Sequence, residues 1–209
     1  MNRPEDCGEM QGSRADLRRR RVMQAARKLF IENGFHATGM AQVAKLSEVA
    51  IGQIYRDFAS KEEIVAALVQ EDCGRLMMYE VLEDAIRDGD PQAVRAWLRE
   101  FVQPSDNPDD ARLFAEILAE SARSPRISAI FRQVQDELRA HMDEALEMLA
   151  PAAVVASRRK VMAEVITTLS VGVTHQQLMR PEEDLTCVIR GVEEILDREL
   201  TALVSASDA

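Results

Sequence analysis

Aromatic side chains are scarce in this chain of 209 residues, only 4% of the total, while 46% of the residues are hydrophobic. Strands lean on aromatic and β-branched residues, so an aliphatic core of this kind points to helices. Glycine (9) and proline (7) are also few. They fall mostly between periodic segments, which excludes a turn-rich sheet architecture. The three cysteines, Cys7, Cys73 and Cys187, are far apart and never spaced C-x-x-C. A disulfide framework or a dithiol or zinc site is therefore not expected, and the thiols read as those of a reduced cytoplasmic protein. The three histidines stand alone, without zincin spacing, so neither a metal nor a cofactor is expected. No apolar run is long enough to span a bilayer, and the polar, acidic N-terminus lacks the apolar segment of a secretion signal. A nucleophile elbow and a phosphate-cradling glycine loop are both missing, which argues against an enzyme.

Positive charge is in deficit overall, with 26 Lys and Arg against 36 Asp and Glu and a net charge of −10. The deficit is uneven. Between Arg14 and Lys61 the bases are Arg14, Arg18 to Arg21, Arg27, Lys28, Lys45, Arg56 and Lys61, and the acids are Asp16, Glu32, Glu48 and Asp57. A local excess of about six positive charges on an acidic chain describes a basic head on an acidic body.

Periodicity divides the chain into about nine helices, an all-α architecture. Residues 1–13 lack periodicity and read as a disordered tail; 14–63 form the head and 64–209 the body. The first helix runs from about Asp16 to Glu32, with Val22, Ala25, Ala26, Leu29 and Phe30 as its buried stripe, and stops at Asn33-Gly34. Residues 38–63, TGMAQVAKLSEVAIGQIYRDFASKEE, read as two short helices with a tight turn. Thr38 is the expected N-cap of the first of them, with Met40, Val43, Ala44 and Leu46 on its buried face. Ser47-Glu48-Val49 makes the turn, and Ile51, Ile54, Tyr55 and Phe58 follow at helical spacing. Ser60 and Glu63 form a capping box that opens a long fourth helix, Ser60 to Arg87. Two short helices at a steep angle make a helix-turn-helix, whose second helix enters a DNA major groove.

Residues 21–64 resemble the DNA-binding domain of the TetR/AcrR family of bacterial transcription regulators. The shared pattern is Ala25-Ala26 with Leu29-Phe30, then Gly34-Phe35 and Thr38, Val43-Ala44, Gly52, Tyr55 and Phe58, and Ser60-Lys61-Glu62, all in one register. The resemblance implies a role for each matching residue. Thr38 holds a phosphate at a helix N-terminus. Tyr55 and Lys61 grip backbone phosphates and set register. Gln53 pairs with an adenine edge, Ile51 touches a thymine methyl, and Gly52 permits close approach. Arg18, Arg19, Arg20 and Arg21 reach the backbone or minor groove as an N-terminal extension. Two positions depart from the family, whose turn reads Ala-Gly-Val-Ser where this chain has Ser47-Glu48-Val49-Ala50. Glu48 costs about 1 kcal/mol if the positive-φ geometry of the glycine is kept. Ala50 removes a hydroxyl cap, costing about another 1 kcal/mol, unless Ser47 takes over in a reshaped turn.

The resemblance further implies a body that binds a small molecule and forms a homodimer on palindromic double-stranded operator DNA, with no membrane partner. Ligand would then tilt the fourth helix and spoil a recognition-helix spacing of about 34 Å. The expected pocket residues are Met78, Trp97, Phe101, Phe114 and Phe131, with Glu116, Gln135, Thr168 and His175 to orient the ligand. The last two helices, about Pro151 to Met179 and Glu182 to Val204, carry long apolar stripes. Val165, Leu169, Val173, Ile189, Val192, Ile195 and Leu196 are the expected dimer face of a four-helix bundle made with a second copy; the same stripes would also complete a monomeric core. Repression released by a ligand is the leading expectation. Control by a protein partner, and activation, are the alternatives.

Overall fold

The computed structural model describes residues 13–208, the side chains of 73–76 excepted. Of the expected tail, residues 1–12 lie outside the described residues. The described residues form ten α-helices and one 3₁₀ turn, with no strand among them. The chain divides into two compact units, Met1–Ile64 and Val65–Ala209.

The first unit begins with α1, Arg14–Asn33. Ser13 is no part of a tail but the cap of this helix. Its hydroxyl accepts the Asp16 N–H at 3.2 Å, and the Asp16 carboxylate accepts the Ser13 N–H at 2.9 Å. These bonds hold the Asp16 carboxyl below the usual carboxylate range. Val22, Ala25, Ala26 and Phe30 are buried, and Gly34 turns the chain away with φ 83°. Phe35 then folds back, its ring centroid 5.5 Å from that of Phe30.

The short pair follows as α2, Met40–Ser47, and α3, Ile51–Asp57. Thr38 does not cap α2. That place belongs to Gly39, whose N–H is taken by the Gln42 side chain at 2.6 Å. Thr38 is buried, and its hydroxyl points back to the Leu29 and Gly34 carbonyls at 3.0 and 2.9 Å. The end of a helix leaves carbonyls without intrahelical partners, and Thr38 supplies a donor to them. Val43, Ile54 and Phe58 are buried, whereas Leu46, expected inside, is 44% exposed.

The expected single helix from Ser60 to Arg87 is two helices, α4 (Lys61–Met77) and α5 (Tyr79–Arg87). Its capping box is present in altered form: Ser60 Oγ accepts the Glu63 N–H at 3.4 Å, and the Glu63 carboxylate accepts the Ala59 N–H at 2.7 Å. The break falls at Met78, which is left-handed with φ 44° and ψ 46°. For a residue with a side chain that conformation costs about 1–2 kcal/mol. Contacts on both sides of the break offset it. The Trp97 indole donates to the Met77 carbonyl at 2.6 Å, and the Tyr79 ring stacks on His141 at 3.9 Å. Apolar periodicity runs on unbroken through Leu82 and Ala85, so it carries no sign of the break.

Three of the next four helices open on a capped proline. These are α6 (Pro91–Phe101) behind Asp90, α7 (Pro108–Ser121) behind Asn107 and α8 (Pro125–Leu149) behind Ser124. The 3₁₀ turn Ala153–Val155 then precedes α9, Ala156–Met179, so Pro151 does not start that helix as expected. Arg159 holds this turn by donating to the Ala150 and Ala152 carbonyls at 2.7 and 3.0 Å. The last helix, α10, is Thr186–Ser207. It starts four residues later than expected because the Asp184 carboxylate takes both the Thr186 N–H and its hydroxyl. The core of the second unit gathers Leu82, Trp97, Leu98, Met142, Leu146, Ile166, Leu196, Leu200 and Leu203 from α5, α6, α8, α9 and α10.

Replacing Trp97 by Phe keeps a ring in this core but removes the donor to Met77. The expected loss is about 1–3 kcal/mol in urea denaturation followed by circular dichroism. An unchanged midpoint would mean that the Met77 carbonyl finds another donor.

Candidate nucleic-acid interface and effector cavity

The α3 helix turns Ile54 inward and leaves Ile51, Gln53, Tyr55 and Arg56 outward. Ile51 and Tyr55 are 45% and 50% exposed, a large apolar and aromatic surface for a seven-residue helix. Gly52 has open space where a side chain would stand. The turn before α3 keeps the geometry that a glycine would adopt, for Glu48 is left-handed with φ 54° and ψ 32°. It has not been reshaped, and Ser47 caps nothing on α3; its hydroxyl leans 3.4 Å from the Ala44 carbonyl. Ala50 stands at the N-cap without a side-chain hydrogen bond.

The basic residues meet a different fate from the one expected. Residues 18–21 lie inside α1, so they are not an extended arm able to enter a minor groove. Arg18 holds Asp57 with two bonds, of 2.6 and 2.7 Å. Arg19 donates to the Asp57 carbonyl at 2.6 Å and covers the Phe58 ring at 4.2 Å. Arg21 donates to the Ser47 carbonyl at 2.5 Å and lies 3.6 Å from the Glu48 carboxylate. Together they brace α1 against the end of α3 and against the turn. Arg20 remains exposed. Lys61 is also turned inward. Its ammonium donates to the Phe35 and Thr38 carbonyls and sits over the Phe35 ring at 4.0 Å. The Lys61 ammonium and the Thr38 hydroxyl are thus both engaged by backbone carbonyls. Lys45 and Arg56 are exposed on α2 and α3 and were counted in the charge map without being given a role.

The second unit contains a cavity of about 830 Å³. Of the expected pocket residues, Met78, Phe101, Phe114, Phe131 and Gln135 line it. Trp97 belongs to the core beside it. Glu116, Thr168 and His175 do not line it. The wall contributed by α9 is Thr167, Ser170, Val171, Thr174 and Gln177, one residue out of step with the expected Thr168 and His175. That phase is hard to read because α9 is apolar on more than one side.

The residues expected at a dimer face also divide. Val173 and Leu196 are buried within the chain, and Leu169 and Val192 are partly buried against its core. Val165 and Ile195 are 42% and 41% exposed. On α9 the exposed residues Val161, Val165, Thr168, Gly172, His175 and Met179 follow one another three or four apart. Val188, Gly191 and Ile195 repeat that spacing on α10, and space is open above both glycines.

A short helix pair with an outward, uncapped second helix, on a unit rich in arginine, defines a helix-turn-helix DNA-binding regulator. Residues 22–68 match the model of the bacterial regulatory proteins of the tetR family, and residues 90–205, more than half the chain, match that of the BetI-type transcriptional repressor C-terminal region. The chain belongs to the TetR family of transcriptional regulators. It is 30% identical over 117 residues to the HTH-type transcriptional regulator UidR of Escherichia coli (strain K12), a match covering 54% of this chain and 57% of the relative. The chain thus spans little more than half the length of that curated relative. Among solved structures, Salmonella enterica GusR superposes with a TM-score of 0.68 at 19% identity, over 91% of this chain and 98% of that one. The transcriptional regulator FadR from Bacillus subtilis, solved in complex with stearoyl-CoA, superposes with a TM-score of 0.65 at 20% identity, over 85% and 96%. At these identities the structural likeness establishes the fold. The relatives are regulators of transcription, and among the described residues no helix is long and apolar enough to cross a membrane and no cluster of metal-ligating side chains occurs.

Glu48→Gly removes the left-handed strain at the turn for the loss of one exposed ion pair. It is expected to stabilise the protein by roughly 0.5–1 kcal/mol in urea denaturation. Asp57 gives a pH signature. Its hydrogen bonds to Arg18 hold its pKa below the ordinary 3.8. A carboxylate with a lowered folded pKa contributes stability that is complete above its ordinary value and is lost as pH falls through the lowered one. Asp57→Asn is therefore expected to be less stable than wild type at neutral pH, with the two stability curves converging below pH 3.8.

Proposed function

We propose that this protein is a cytoplasmic homodimeric repressor, released from palindromic operator DNA when a small molecule fills the cavity of its second unit. The observation that carries the reading is the cavity itself. At about 830 Å³ it has the size of a small-molecule site, and its wall mixes apolar side chains with a few polar ones. The match of residues 90–205 to a repressor-type C-terminal region, and the acyl-CoA seen in FadR, support an effector site in this part of the chain.

In this reading Gln53 and Ile51 contact base edges, while Tyr55 and the exposed Arg20, Lys45 and Arg56 meet phosphates. The exposed stripes of α9 and α10 meet their copies across a two-fold axis, where Gly172 and Gly191 let the backbones approach. Release runs through α4. This one helix begins at Lys61 in the first unit and ends at Met77, and Met77 and Met78 both line the cavity. A ligand that binds better when these two residues have shifted favours an α4 position unsuited to the operator.

Footprinting on DNA around the protein's own gene, at physiological salt, is expected to reveal a protected palindrome. Gln53→Ala and Tyr55→Ala should abolish protection while leaving the helical spectrum intact. Val165→Glu with Gly172→Arg should turn the dimer into a monomer in sedimentation velocity and weaken operator binding at least tenfold. A protected site that survives both recognition-helix substitutions, or a wild-type protein that sediments as a monomer, would refute the reading.

A further inference from the structure

We infer that the ligand of this cavity is an organic cation, an ammonium head on an apolar body. The inference rests on the reading of the cavity as the effector site and gives that site a chemistry. The wall carries five carboxylates, Asp72, Glu100, Asp106, Asp110 and Glu193, against a single guanidinium, Arg99. Arg99 is already committed to Asp197, with contacts of 2.8 to 3.2 Å. Four of the five acids gather around the α6–α7 connection. Glu100 is in the last turn of α6, Asp106 in the connection and Asp110 in the first turn of α7. Glu193 is brought in from α10 by the Gln103 amide, which donates to it at 2.9 Å. A chain of bonds holds this end in place. The Ser105 hydroxyl and the Asn107 amide donate to Asp110 at 2.7 and 3.2 Å, and the Gln177 amide donates to the Ser105 carbonyl at 2.7 Å.

A second observation sits at the same end. The Gln177 side-chain carbonyl is buried and accepts no hydrogen bond from the protein. A buried acceptor of this kind calls for a donor, and an ammonium N–H is one. Gln135, Thr167, Ser170 and Thr174 add neutral polar groups, and the remainder of the wall is apolar, with Met77, Leu113, Ile117 and Leu138 beside Phe101, Phe114 and Phe131. Aromatic faces attract a cation and give an anion no such gain. Asp110 is buried and Glu193 half-buried, and a carboxylate withdrawn from bulk water acts on a ligand charge more strongly than one at an open surface. A carboxylate or phosphate ligand would meet the same end with its charge opposed.

Two amphiphiles of equal chain length and opposite charge test the inference. Dodecylammonium and dodecanoate, each below its micellar concentration, are titrated calorimetrically into the full-length protein without DNA. Dodecylammonium is expected to bind once per chain, at least tenfold more tightly than dodecanoate. Removing the two exposed carboxylates with Glu100→Gln and Asp106→Asn, positions that leave the core untouched, is expected to weaken dodecylammonium about threefold or more and to flatten its salt dependence. Equal affinities, a preference for dodecanoate, binding of neither, or a double variant that binds the cation as well as wild type would each overturn the cation site. A different result strikes the release mechanism alone: dodecylammonium bound with the expected preference but leaving operator affinity unchanged.

Discussion

The bond from the Trp97 indole to the Met77 carbonyl fixes where α4 ends, and much of the second unit is arranged around that end. Continued as a straight helix, residues 60–87 would carry Leu82 and Ala85 along the axis of α4. The left-handed Met78 turns the chain instead, and α5 delivers Leu82 and Ala85 to the core shared with α6 and α8. The turn opens backbone carbonyls that a helix would have satisfied, and a buried carbonyl without a donor is costly. Trp97 provides the donor from α6, and the Tyr79–His141 stack fixes the other side of the break. The same turn presents Met77 and Met78 to the cavity, so the junction shapes both the core and the cavity wall.

How much of this was legible in the sequence depends on what a residue's partner is. The helix pair at 40–57 was legible, because its signals are local: apolar spacing and a turn. The capped prolines that open α6, α7 and α8 are local signals of the same kind. The arginines were not legible. Arg18 and Asp57 are 39 positions apart, and no count of charges distinguishes an arginine waiting for phosphate from one bound to a carboxylate across the fold. The Thr38 cap misled for a similar reason, since its hydroxyl, like the Lys61 ammonium, turns toward backbone carbonyls, which look alike in every sequence. The cavity was legible in its aromatic residues and blurred on α9. With apolar residues on several faces of that helix, its phase slipped by one, from Thr167 and Thr174 to Thr168 and His175.

That slip has physical content. On α9 the residues facing the cavity and the exposed stripe of Val161, Val165, Thr168, Gly172, His175 and Met179 alternate at adjacent positions. One helix thus forms part of the cavity wall on one side and an uncovered surface on the other. Thr167 and Thr174 satisfy their hydroxyls on their own helix, at the Ala163 and Ser170 carbonyls, and so border an apolar space without demanding a partner from it.

Trp97 is also the chain's single tryptophan. Its indole is bound to the last carbonyl of α4 and stacked near Phe101, itself part of the cavity wall. The tryptophan fluorescence of the chain therefore originates beside one atom-to-atom contact, at the far end of the helix that begins in the DNA-binding unit. The protein carries its own optical gauge of that joint, with no label to attach and no second indole to subtract.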